Sequence, residues 1–148
     1  NQLFSHKVFM ATILAFDFGM RHIGVATGNT VTKTATAQKC ISAKDGIPNE
    51  AQLQKLFKDW CPSIVVVGLP LNMDGTEQLM TKRALKFGHR IEQNFKIKVN
   101  FVDERLTSAS AKEEIFSQGG FRALASDKGA IDSLSAVTIL EQYFSEQS

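Results

Sequence analysis

The stretch that decides the fold runs from Thr12 to Ala26, TILAFDFGMRHIGVA. Thr12 to Phe16 is apolar and rich in β-branched and aromatic side chains, which suits a short strand. That strand stops on a carboxylate, Asp17. Gly19 and Gly24 then flank a tight reversal into a second strand, Ile23 to Thr27, where the glycines permit φ values that other residues avoid. An apolar run ending in an acid, then a glycine turn and another strand, fixes a carboxylate at the rim of a sheet.

Working outward, Thr34 to Cys40 alternates weakly and reads as a third, edge-like strand, so the chain opens with an antiparallel meander. Ser42 to Asn49, with Asp45, Gly46 and Pro48, reads as a loop. Leu53, Leu56, Phe57 and Trp60 fall at helical spacing and predict a helix over Glu50 to Trp60, ended by Pro62. Ile64 to Val67 is continuously apolar, as a strand covered on both faces must be. It runs into a turn-rich loop, Gly68 to Gly75. Met80, Ala84, Phe87, Ile91 and Phe95 mark one stripe of a helix over Glu77 to Phe95, the phenylalanines reading as core. Ile97, Val99 and Phe101 alternate in a last strand that ends at Asp103-Glu104-Arg105. Thr107 is the expected N-cap of a helix to about Gln118, stopped by Gly119-Gly120. Phe121 to Lys128 reads as a loop, and a final helix is expected from Ala130 to Phe144.

The expected fold class is therefore α/β: a mixed five-stranded sheet, three strands in a meander and then βα units, with helices on both faces. This is the ribonuclease H-like order, although other α/β folds share it. The expected organisation is an N-terminal tail over residues 1–11, open to processing, and a single domain over residues 12–148.

The 148 residues are 43% hydrophobic and 22% charged, which suits one domain with a real core and excludes a disordered or membrane-like chain. A net charge of +2 gives no strong polyanion field, so a nucleic-acid partner would need a local basic face. Cys40 and Cys61 lie far apart, without a CxxC or Cys/His cluster, and are expected as buried thiols in a reducing compartment. No apolar stretch approaches the ~20 residues of a membrane-spanning helix. The expected location is the cytoplasm.

Acids recur at similar places: Asp17 ends the first strand, Asp103 and Glu104 end the last, and Asp132 lies near the start of the final helix. Strand ends on one edge of an open α/β sheet converge, which is where such folds place ligands. Carboxylates gathered there repel one another unless cations neutralise them. An oxygen-only set suits Mg²⁺ or Mn²⁺ rather than zinc. Two such ions serve phosphodiester cleavage by activating water and stabilising the leaving oxygen. Taken singly, each acid has a plainer role: Asp17 as a turn residue, Asp103 or Glu104 as a partner of Arg105, and Asp132 as a helix-dipole acid paired with Lys128. Lys128 is alternatively an accessory residue near a scissile phosphate. Asn72 and the Gly68–Gly75 backbone offer a phosphate contact at the start of a helix. Arg21, Arg83 and Arg105 are candidate nucleic-acid contacts, and Lys82, Arg83, Lys86 and Arg90 share one helix face.

DFGMRHIGVA, VGLPLNMDGTEQ, VDERLTS and KGAIDSLSAVTILEQYF closely resemble the signature blocks of the YqgF family, in order, from about Thr12 to Phe144. These are bacterial ribonuclease H-like proteins described as Holliday junction resolvases and as pre-16S ribosomal RNA nucleases. The resemblance implies a ribonuclease H-like fold with a carboxylate site like that of RuvC-type resolvases. Asp17 and Glu104 would be catalytic metal ligands, with Asp103 the alternative to Glu104, and Asp132 would complete the set. RuvC-type sites present four acids, and the fourth is not evident in this sequence. The implied activity is a Mg²⁺- or Mn²⁺-dependent endonuclease that processes the 5′ end of precursor 16S rRNA in ribosome biogenesis. Its partners would be pre-rRNA and ribosomal assembly intermediates, and the chain a monomer or weak homodimer. Cleavage of branched DNA is the alternative within the same chemistry. A non-catalytic nucleic-acid-binding module, in ribosome assembly or transcription, is the alternative of another class. The DxG hairpin also resembles the phosphate-binding turn of the actin and sugar-kinase fold, but that fold closes two domains around ATP.

Overall fold

A computed structural model describes residues 11–106 and 133–147. The strands are β1 (Thr12–Asp17), β2 (His22–Asn29), β3 (Thr34–Lys44), β4 (Ile47–Pro48), β5 (Ile64–Leu69) and β6 (Val99–Asp103). Helix α1 (Glu50–Trp60) precedes β5, α2 (Leu79–Phe95) precedes β6, and α3 (Leu134–Glu146) closes the described chain. The strands form one mixed sheet in the order β4-β3-β2-β1-β5-β6. β1 to β4 pair antiparallel in succession, while β1, β5 and β6 run parallel. This is the expected ribonuclease H-like arrangement, with six strands rather than five.

The sixth strand arises where a loop was expected. β3 continues through Lys44, turns at Asp45 (φ 53°) and Gly46 (φ 83°), and returns as β4, with Lys44 opposite Ile47 and Ala43 opposite Pro48. Two central residues with positive φ, Asp then Gly, make the turn that matches the twist of a hairpin. Pro48 is tolerated because β4 is the edge strand.

Alternation along the strands sorts the core into two faces. Leu14, Phe16, Val65, Val67 and Val99 pack beneath α1 and α2, against Leu53, Phe57, Ala84, Phe87 and Ile91. Ile13, Ala15, Ala26, Val66 and Val102 pack on the opposite face against Ala136, Val137, Ile139, Leu140 and Phe144 of α3. The valines of β5 are fully buried, each contributing about 1.5–3 kcal/mol through apolar burial. The phenylalanines of α1 and α2 belong to this core, as expected, whereas Trp60 at the end of α1 is exposed: Phe57 stacks on Phe95 with centroids 3.7 Å apart, and Phe16 meets Phe87 edge-on at 5.3 Å.

Local sequence sets the helix ends. Asn49 caps α1 by accepting from the Gln52 amide (2.9 Å), and Cys61 ends it in a left-handed conformation (φ 43°). Cys61 is thereby exposed and Cys40 half-buried, so neither is the buried thiol expected; the two form no disulfide. α2 starts at Leu79, not Glu77, because Glu77 is held in a bridge with Leu71. Buried Thr81 anchors this start: its hydroxyl accepts from the Gln78 amide and donates to the Pro70 carbonyl. α3 is described from Leu134, after Ser133, and Ala130, where its start is expected, lies outside the described residues. The expected helix over Thr107 to Gln118 and the loop over Phe121 to Lys128 lie outside the described residues. No described helix is long and apolar enough to cross a membrane.

Candidate carboxylate site at the strand ends

β1, β5 and β6 run in one direction, so their C-terminal ends share an edge. Phe16 stands opposite Val67, and Gly68 opposite Val102. Asp17 is therefore level with Gly68, one strand spacing of about 4.8 Å away. Ile13 and Ala15 face α3, and a period of two sends Asp17 to that same side.

The neighbouring acids of the DER block part company here. Val99 packs against the α1/α2 side and Val102 against the α3 side, so Asp103 follows Val99 and Phe101 rather than Val102. Arg105 holds it there: Nη2 donates to Asp103 Oδ2 (2.7 Å) and Nε to both carboxylate oxygens (3.1 Å each). These hydrogen bonds keep the Asp103 carboxyl below the usual carboxylate range. Nη1 of the same arginine donates to the Met73 carbonyl (3.1 Å), tying the loop after β5 to the end of β6.

Glu104 opens a short 3₁₀ turn, Glu104–Leu106, and crosses to the α3 side. A Cβ built on Gly68 would lie 2.9 Å from both Cγ and Oε2 of Glu104 and 2.5 Å from Cδ1 of Ile139. The Glu104 side chain thus lies over the bare backbone of β5, beside the position of Asp17. Glycine in a strand commonly marks such a close approach. Gly68 was expected as a loop residue; the glycine that directly follows the valine run was the available signal.

Ser133 is a second residue that the sequence reading missed. β2 and β3 slip register between Ile23 and Val25. The Val25 amide beside this irregularity donates to buried Ser133 Oγ (2.8 Å). That bond fixes the start of α3 one residue from Gly24, which pairs with Asp17. No composition or spacing signal marks a serine for this role. Asp132, the chain neighbour of Ser133, and Lys128 lie outside the described residues.

The other predicted contacts divide. Asn72 is engaged within its own loop, its amide Nδ2 donating to Thr76 Oγ1 (3.0 Å), and Arg105 is committed to Asp103 and Met73. Arg21 is exposed in the turn after Asp17. Arg83, on α2, reaches the same turn from the other face, with Nη1 3.5 Å from Met20 Sδ.

The donors described at the edge are carboxylates, the hard oxygen ligands that suit Mg²⁺ or Mn²⁺. Among the described residues no cluster of three or more His, Cys, Asp or Glu side chains is placed to hold a metal. Asp17 and Glu104, on one side of the sheet, are nevertheless of the donor type that such an ion takes.

The family described as "RuvX: Holliday junction resolvase" matches residues 11–146. The chain belongs to the RuvX family. This is the YqgF family whose blocks the sequence resembles. The RuvX chain is 54% identical over 135 residues to a protein of Actinobacillus succinogenes named "Putative pre-16S rRNA nuclease", covering 91% of this chain and 95% of that one. A Yersinia pestis protein of the same name is 53% identical over 137 residues, covering 93% and 96%. Among solved structures, Thermus thermophilus RuvC in complex with a Holliday junction substrate aligns with a TM-score of 0.60 at 16% identity, over 93% of this chain and 95% of that one. The fowlpox virus Holliday junction resolvase aligns at 0.59 and 13%, over 93% and 99%. At such identities these neighbours establish the fold, while family and relatives together place this RuvX protein among phosphodiester-cleaving nucleases.

Proposed function

We propose that this RuvX protein is a divalent-metal-dependent endonuclease of the cytoplasm that processes the 5′ end of precursor 16S rRNA. The observation that carries the choice of substrate is the near full-length identity, above 50%, to relatives bearing that name. The chemistry is supported by the convergence of Asp17 and Glu104 on the α3 side of the strand ends.

Asp17 and Glu104 would hold Mg²⁺ or Mn²⁺, and Asp132, next in sequence to the anchored Ser133, would complete the set. The chemistry a bound divalent ion supplies is Lewis-acid stabilisation of charge at a phosphoryl centre. The chain's own contribution is positional. Gly68 leaves room for the Glu104 carboxylate, Arg105 keeps Asp103 turned to the other side, and Ser133 fixes the start of α3 against β2. The expected domain limits, residues 12–148, remain part of this reading.

A second reading, resolution of branched DNA, is favoured by the family description and by the RuvC likeness. Cutting two strands symmetrically requires a two-fold dimer with paired sites. The test is cleavage of a precursor 16S 5′-end fragment and of a four-way DNA junction, each with Mn²⁺, Mg²⁺ or EDTA. Metal-dependent cutting of the RNA at the mature end supports the proposal. Cutting of the junction alone, by a dimer, replaces it with the second reading.

A further inference from the structure

On the face opposite Glu104, α2 and the β3–β4 hairpin enclose a groove of about 760 Å³. Its floor is Phe18 and Phe87, and the hairpin residues Asp45 to Pro48 form its far wall. Along the near wall, Lys82, Lys86 and Arg90 recur every four residues and so form a line about 12 Å long on one face of α2. Arg83 and His89 flank that line. Four formal cations thus face one acid, Asp45, among the described lining residues, in a chain whose whole net charge is only +2. Lys82 and Lys86 are exposed; Arg90 shares its charge with Glu50 across 3.4 Å.

The groove is continuous with the edge that bears the carboxylates. β3 runs parallel to β1, so the hairpin turn lies at the same edge as Asp17. Phe18, its floor, is the residue after Asp17, and the Gly46 amide donates to the Met20 carbonyl (3.0 Å). The turn over residues 18–21 is thus the lip between carboxylates and groove, and Arg83 reaches that lip through Met20.

We propose that this groove holds the sugar-phosphate backbone of a single RNA strand leading away from the cleaved bond. The inference rests on the nuclease reading above and adds the path of its substrate. A trough walled on both sides admits one strand, whereas a duplex would ride on its rim. The polar contacts offered are cationic and suit phosphates, exposed Ile47 and Leu79 offer apolar edges, and the floor rings of Phe18 and Phe87 are buried rather than open as platforms that stack bases. Recognition here is therefore independent of sequence. A second copy of the chain would bring one cationic line against another.

The test is binding of a fluorescent single-stranded oligoribonucleotide to the full chain in EDTA, by anisotropy across a salt series, so that cleavage plays no part. Lys82→Gln/Lys86→Gln should weaken binding at least several-fold and reduce the slope of log K against log salt by about 1.4, the value for two lost phosphate contacts on a single strand. Lys58→Gln/Lys98→Gln, which removes the same charge from the opposite edge of the sheet, should leave the slope unchanged. The proposal is overturned by an equal loss in both double variants, by no loss in the first, or by a parent that binds no single strand. Sedimentation showing a dimer that Lys82→Gln/Lys86→Gln disrupts would also overturn it, in favour of self-association. An absence of cleavage activity in the parent would count against the nuclease reading and leave this binding test intact.

Discussion

Gly68→Ala puts one methyl group between Glu104 and Ile139. The added Cβ would lie 2.5 Å from Ile139 Cδ1 and 2.9 Å from Glu104 Cγ and Oε2. Against an ordinary 3.4 Å contact these fall short by about 0.9 Å and about 0.5 Å, so both neighbours must move. Gly68 does not occupy the left-handed region, so the cost is one of space rather than backbone strain. Ile139 is packed in the core and resists; Glu104 ends in a flexible head and yields more readily. Overpacking of this kind costs about 1–3 kcal/mol, which for a chain of this size lowers Tm by roughly 3–9 °C. Displacement of the carboxylate should in addition lower metal-dependent cleavage at least tenfold at temperatures where the variant is fully folded. Val66→Ala is the control, because it loosens the same face without touching an acid. Thermal melts and single-turnover cleavage, measured on both variants, separate the effects. If Gly68→Ala cleaves at the parental rate while folded, Glu104 does not work from its place over β5, and the geometric reasoning fails.

Ser133→Ala should cost about 1–3 kcal/mol in denaturant unfolding, since it strands the buried Val25 amide, and should speed hydrogen exchange at Val25; unchanged exchange would refute the anchoring role. Arg105→Ala should change stability little because its pair with Asp103 is partly exposed (34% and 22%), yet should raise amide exchange in the loop around Met73. Asp74 accepts from the Thr76 hydroxyl (2.6 Å) and amide (3.0 Å), which holds its carboxyl below the ordinary range. With a lowered folded-state pKa, its contribution is present above the unfolded carboxylate pKa and is lost as pH falls through the lowered value. Carboxylate NMR should find Asp74 titrating below the ordinary aspartate range, and Thr76→Val should move it upward.

The succession of elements, the opening antiparallel meander, the two-sided covering of the sheet and the acid at the end of β1 were legible because each rests on hydrophobic period and on the residues that stop an element. The β3–β4 hairpin was missed because Pro48 reads as a breaker; only the edge position makes it harmless, and Asp45-Gly46 was the turn signal to weigh against it. The start of α2 was misplaced by two residues because the Leu71–Glu77 bridge is a pairing that helical period does not register. The DER block shows most clearly where sequence stops. Alternation says that adjacent residues face opposite ways, but only the register of β6 on β5 says which of Asp103 and Glu104 faces α3. Gly68 and Ser133 act through contacts across strands and across 108 positions of sequence, respectively, and no local pattern encodes either.

The most direct test of the central claim is metal-dependent cleavage of the precursor 16S fragment by Asp17→Asn, Glu104→Gln and Asp103→Asn, each confirmed folded. Asp17→Asn and Glu104→Gln should each lose about 100-fold or more, as expected when a group that stabilises charge in the transition state is removed. Asp103→Asn should stay within a few-fold of the parent, because its side chain belongs to Arg105 on the other side of the sheet. An active Glu104→Gln beside an inactive Asp103→Asn would contradict the assignment.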